Sequence, residues 1–96
     1  MTQITWTAPA LADLRAIDRW LTHQASRELA LRTLGEIKFR VSFLENFPHG
    51  GRPELGQNFR VLRIFHTPYL ILYRIQEEGV QILRIRHERE DWRVDP

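Results

Sequence analysis

Apolar side chains return at intervals of three and four early in the chain, at Leu11, Leu14, Ile17, Leu21 and Ala25. That spacing draws one stripe along a helix, with Arg15 and Arg19 on the other side and Asp13 and Asp18 toward the edges of the stripe. Thr7 is placed to cap the helix start, and Pro9 stands where helices often begin. A second stripe runs through Ala30, Leu34, Ile37, Val41 and Leu44, with Ser26 as its N-cap. Leu29, Phe43 and Phe47 flank it, and Phe39 lies further round. Between residues 10 and 47 Gly35 is the only Gly or Pro, and the stop comes at Asn46-Phe47-Pro48-His49-Gly50-Gly51. Two antiparallel helices of about 15 to 22 residues are expected, a hairpin whose stripes need a sheet or a partner to be buried.

The period then shortens to two. Residues 59–65 (FRVLRIF), 69–75 (YLILYRI) and 80–86 (VQILRIR) read as strands, and residues 4–6 as a short first strand, since Thr5, Trp6 and Thr7 have β-favouring side chains. Pro68 separates the first two of the later strands, and Gln76-Glu77-Glu78-Gly79 is a hairpin loop with glycine placed for positive φ. YLILYRI is apolar on both faces, which puts it at the centre of the sheet. Strict alternation puts Val80, Ile82, Arg84 and Arg86 on one face of the last strand, and Leu83 and Ile85 on the other. One sheet face must receive the helices, and the other is expected to carry arginines in water. The segment His87-Glu88-Arg89-Glu90-Asp91-Trp92-Arg93 looks too polar for a core. The order β-α-α-β-β-β gives one α+β domain over residues 1–96, a two-helix hairpin packed on one face of a twisted antiparallel sheet.

Ninety-six residues suit a single small domain, and 43% hydrophobic against 27% charged residues excludes wholesale disorder. The apolar run Tyr69-Leu70-Ile71-Leu72-Tyr73 is far short of the roughly 20 residues that cross a bilayer. MTQITWTAP has neither a basic flank nor an apolar core, so it does not read as a signal peptide, and a cytoplasmic protein without membrane contact is expected. Cysteine is absent, which removes disulfides, thiolate nucleophiles and Cys-ligated metals. Of 14 cationic residues only Lys38 is lysine, and arginines stand at 52, 60, 63, 74, 84, 86, 89 and 93 in the second half. Arginine's planar fork suits carboxylates and phosphates, hence an acidic partner or a nucleic acid. An arginine-for-lysine bias also follows from a GC-rich genome, which does not explain where the arginines fall.

Most catalytic chemistries find no material. His23, His49, His66 and His87 never stand three or four apart and no HExxH occurs, so they read as surface or capping residues and no metal or other cofactor is expected. Gly50-Gly51-Arg52-Pro53-Glu54-Leu55-Gly56 lacks both phosphate-loop patterns and reads as a connection, or as a mobile loop touching a partner. Ser26 and Ser42 sit in helical stretches, outside any GxSxG turn. Metal-free RNA cleavage remains: Arg60, Arg63, Arg84, Arg86 and Arg89 could supply cations, His87 or His66 acid or base, and Tyr69 and Trp92 stacking surfaces. The same arginines could instead pair with Asp, Glu or an acidic partner.

In order, the segments TWTAPALADLRAIDRWL, NFPHGGRPE, FRVLRIFHTPYLILYRI and ILRIRHEREDW resemble the ParE branch of the RelE/ParE toxin superfamily, over nearly the whole chain. That resemblance implies the helical hairpin on an antiparallel sheet already reached, and a toxin of a type II toxin–antitoxin system of the plasmid-stabilisation kind. RelE-type members are ribosome-dependent mRNA endonucleases, and ParE-type members inhibit DNA gyrase. RelE-type chains commonly place an arginine after the first aromatic of the central strand, where this chain has Leu70, and a catalytic Tyr or His near the C-terminus, where His87 is the remaining acid–base group and Arg89 roughly matches a cationic position. These departures point to gyrase inhibition by binding, with an mRNA interferase using His87 and Arg86 as the alternative. A non-toxic domain kept only to bind an antitoxin is a third reading.

The resemblance also implies a cognate antitoxin, ParD-like or related and encoded nearby, whose C-terminal segment is disordered alone and wraps the toxin, often filling the groove beside the helices and covering the sheet. Arg60, Arg63, Arg84, Arg86, His87, Arg89 and an exposed Trp92 are the expected contacts with target or antitoxin, acting by polar and stacking contact. Sequence-specific DNA binding by this chain alone is not expected.

Overall fold

The computed structural model of the chain describes residues 2–93. Strand β1 (Gln3–Trp6) leads into helices α1 (Ala8–Gln24) and α2 (Arg27–Phe43), followed by strands β2 (Arg52–Pro53), β3 (Arg60–Arg63), β4 (Tyr69–Gln76) and β5 (Gly79–His87). The caps form where the sequence puts them: Thr7 Oγ1 accepts from the Ala10 amide at 3.2 Å, and Ser26 Oγ from that of Leu29 at 3.0 Å. The first stripe is shorter than its spacing implies. Ala10, Ile17 and Leu21 are buried, but Leu11 is 41% exposed and Ala25 caps the helix end in solvent.

The five strands lie in the order β1-β5-β4-β3-β2. The sheet is mixed: β1 runs parallel to β5, with Gln3 opposite Gly79 and Trp6 opposite Ile82, and the other pairings are antiparallel. A β-bulge corrects the strict alternation expected of β5. Tyr73 opposes Ile82 but Leu72 opposes Arg84, so Leu83 is an extra residue. Past the bulge the faces exchange. Ile85 joins Val80 and Ile82 under the helices, with Tyr69, Ile71 and Tyr73 of β4 and Ile17, Leu21, Ile37 and Val41 of the hairpin.

The outer face of the sheet is also corrected. It carries a second apolar cluster of Phe59, Val61, Leu70, Leu72, Leu83 and Trp92. The charged C-terminal segment turns back across this face, and Trp92 is only 5% exposed. The Glu88 amide donates to the Pro68 carbonyl at 2.8 Å and starts that return. Water is therefore excluded by one indole where a second helical layer would otherwise be needed.

Two polar clamps hold irregular backbone. Beyond Trp6 strand β1 has ended, and side chains replace it along β5. Thr7 Oγ1 donates to the Leu83 carbonyl (3.0 Å), and Asp13 Oδ2 accepts from the Ile85 amide (3.0 Å). Asp13 also takes both arms of Arg84, at 2.7 and 2.9 Å, and this pair raises the Arg84 pKa further. At the other end of the sheet, the Tyr73 hydroxyl donates to the Pro48 carbonyl (2.7 Å) and accepts from the Gly51 amide (2.8 Å). Arg60 Nη1 donates to the Gly51 carbonyl at 2.7 Å.

Trp92→Ala should cost about 3 kcal/mol or more, the usual range for truncating a buried aromatic, read as a lower urea midpoint. Asp13→Ala leaves the Ile85 amide and Arg84 without their acceptor, so a loss of about 1–3 kcal/mol is expected, with faster hydrogen exchange at Ile85. Burial raises the pKa of both Tyr69 and Tyr73; the charge of Glu90 adds to the shift at Tyr69, while the Gly51 amide and Arg60 oppose it at Tyr73. The unfolded chain ionises first, so stability is complete below about pH 10 and falls as pH rises toward the higher folded values. Tyr69→Phe should leave the midpoint at pH 8 nearly unchanged and make the alkaline fall shallower.

Candidate interaction surfaces

The outer face is built around Trp92. Arg93 and Arg52 stand over its ring, with their guanidinium carbons 4.3 and 5.8 Å from the centroid, and Arg93 Nε is 3.6 Å from Glu54. Along the same face Arg63 pairs with Glu88 at 3.1 Å and Arg86 with Glu90 at 3.0 Å. Both pairs are partly in water and contribute little to stability, so their arginines can be drawn to another anion at small cost. Arg89 is exposed and makes no ion pair among the described residues. Leu70 lies within the apolar cluster under Trp92.

His87 marks the edge of this surface. Its ring meets Tyr69 edge-on at 5.6 Å, and its Nδ1 accepts the Arg89 amide at 3.1 Å, which requires that nitrogen to be unprotonated. Glu90 accepts the His87 amide at 2.7 Å while holding Arg86, so residues 87–90 form a tight turn.

The structure thus brings together Arg63, Arg86, His87, Arg89 and Trp92, and sets two other expected contacts apart. Arg60 faces the helix side and holds the loop at Gly51; Arg84 is turned to Asp13 at the sheet edge. Trp92 is a buried wedge rather than an exposed stacking surface. Among the described residues, no group of three or more His, Asp or Glu is placed to hold a metal.

A second surface, for which the sequence named no residues although the resemblance implied a groove beside the helices, runs along the helices. An apolar groove of about 780 Å³ is lined by Ile17, Trp20, Leu29, Pro68, Tyr69 and His87, among others, with Trp20 60% exposed. It continues along α2 through two smaller depressions, and His66 borders all three. His66 has φ of 66°, an uncommon conformation for a non-glycine residue. Trp20 could have been suspected, because it falls outside the buried positions Ile17 and Leu21 and so faces water. Arg40 carried no such signal: its guanidinium lies over Phe43 (4.5 Å) and Phe65 (4.4 Å) while its Nε donates to the Arg63 carbonyl at 2.8 Å. Burial lowers the Arg40 pKa.

The arrangement has known counterparts. Residues 4–92 match the family described as ParE toxin of type II toxin-antitoxin system, parDE. Toxin RelE2 of Caulobacter vibrioides is 36% identical over 90 residues, covering 91% of this chain and 96% of the relative. Y4kP of Sinorhizobium fredii is 32% identical over 90 residues, covering 94% of this chain and 92% of the relative. A solved chain from the chromosomal ParDE TA system of P. aeruginosa superposes with a TM-score of 0.83 at 30% identity, covering 91% of this chain and 96% of that one. With the hairpin, the sheet and the sequence match in agreement, the chain belongs to the ParE toxin family of type II toxin–antitoxin systems.

Proposed function

We propose that this toxin acts by binding, that its target is DNA gyrase, and that a cognate antitoxin encoded beside it relieves the inhibition. The observation that carries the reading is Leu70. RelE-type nucleases commonly hold a phosphate-neutralising arginine at the matching position, and here a leucine is sealed against Trp92 in an apolar cluster. The acid–base candidate near the C-terminus, His87, has Nδ1 occupied by the Arg89 amide. Exposed Arg63 and Arg89, with half-buried Arg86 between them, suit polar contact with an acidic protein surface. The groove at Trp20 suits an apolar segment of the antitoxin, because Trp20 offers a large side chain that water does not favour.

A ribosome-dependent mRNA interferase is the second reading. The Tyr69–His87 contact beside Arg86 favours it, and the relative named RelE2 is consistent with it.

The test is a supercoiling assay with purified chain, gyrase from the same source, relaxed plasmid and ATP. Blocked supercoiling, relieved by antitoxin, is the expected result. Arg86→Ala with Arg89→Ala should raise the half-inhibitory concentration about tenfold or more with little change in the urea midpoint. Unaffected gyrase, together with ribosome-bound mRNA cleavage that His87→Ala abolishes, would replace this reading with the nuclease.

A further inference from the structure

In register across the sheet, Arg63 of β3 lies opposite Leu70 of β4, and Leu70 opposite Arg86 of β5. The two arginines therefore flank Leu70 on one row of the outer face, with their backbones two strand spacings apart, about 10 Å. Residues after β5 turn back over this row and give each arginine an anion. Glu88 meets Arg63 at 3.1 Å, and Glu90 meets Arg86 at 3.0 Å.

The fold requires neither negative charge. Main chain holds the turn: the Glu88 amide donates to the Pro68 carbonyl at 2.8 Å, and the Glu90 amide to the His87 carbonyl at 3.0 Å. The Arg89 amide is taken by His87 Nδ1. The His87 amide needs one side-chain oxygen of residue 90, which a glutamine also offers. The Glu88 carboxylate bonds only to Arg63 among the described residues, in a pair 61% and 36% exposed. Such hydrated pairs contribute little to stability.

Charge balance points to another role. Around the turn, Arg63, Arg86 and Arg89 are matched by Glu88, Glu90 and Asp91. A nucleic-acid footprint is a surplus of cations, and this patch has none. A balanced patch selects differently. An incoming anion must displace a resident carboxylate, so a partner regains what it breaks only by offering carboxylates matched to both guanidinium groups. We propose that Glu88 and Glu90 are resident stand-ins for two carboxylates on the protein target. Arg63 and Arg86 hold them in the free toxin and release them when the target binds, so the two glutamates limit affinity and set specificity. This rests on the gyrase reading above and adds the chemistry of the contact and the residues that restrain it.

The experiment measures Kd between purified gyrase and four chains: wild type, Glu88→Gln, Glu88→Gln with Glu90→Gln, and Glu77→Gln with Glu78→Gln. The last pair is exposed in the turn at the opposite end of the β4–β5 hairpin and removes the same two charges as the double variant. Glu88→Gln should lower Kd about threefold and the double variant about tenfold, while the control changes it less than about twofold. Thermal midpoints of the free chains should move by only a few degrees. Binding by the double variant should weaken more steeply with added salt, because its arginines meet the target as unpaired charges. Unchanged or weaker binding by the folded double variant would overturn the proposal and leave the gyrase reading standing. Equal tightening by the control would assign the effect to net charge and overturn it as well. A wild-type chain that binds a labelled DNA duplex more tightly than gyrase would make phosphate the occupant, against the proposal. A wild-type chain that neither binds nor inhibits gyrase would remove the target reading, and this inference with it.

Discussion

A sheet covered by helices on one side has a second face, and a central strand apolar on both faces cannot leave that second face wet. Strand β4 imposes this constraint. Tyr69, Ile71 and Tyr73 go under the hairpin, which leaves Leu70 and Leu72 to be covered from the other side. Among the described residues the segment after β5 performs the task, and that segment is mostly charged. A single tryptophan within it meets the requirement. Indole supplies a large apolar area, and two arginines over its ring extend the cover outward while keeping their charge in water.

The same solution decides where the arginines can act. Those at strand edges, Arg60 and Arg84, satisfy backbone and carboxylate at fixed places. Those around Trp92 and the turn at residues 87–90 are held by pairs that water already weakens. An arginine count therefore overstates the surface available to a partner, and the local partner of each guanidinium separates the two groups.

Much of the architecture was legible in the sequence because it rests on period and punctuation. Three- and four-residue spacing gave both helices, Thr7 and Ser26 gave their caps, and the doubly apolar run at residues 69–75 gave the central strand. Three features were hidden for physical reasons. The bulge at Leu83 leaves the alternation of VQILRIR intact, so only the partner strand exposes the change of face. Trp92 sits alone among charges, and a lone aromatic has no period to show that it is a wedge. Asp13 looks like an ordinary charge at the edge of a stripe, because the strand edge it completes lies about 70 residues away in sequence. The interaction surfaces were the least legible. Grooves such as the one at Trp20 arise where two helices and a loop converge, and no local pattern encodes that meeting.

The parallel pairing of β1 with β5 has a temporal consequence. Among the described residues β1 pairs with β5 alone, far along the chain, with Gln3 against Gly79 and Trp6 against Ile82. Synthesis runs from the N-terminus, and such distant contacts form late because a long loop must close first. The sheet, the sealed outer face and the arginine-bearing turn therefore come into being together, once synthesis has passed Trp92. A chain cut before Gly79 is an unfinished sheet with an exposed apolar face, because β1 then has no strand to pair with and β4 is left uncovered.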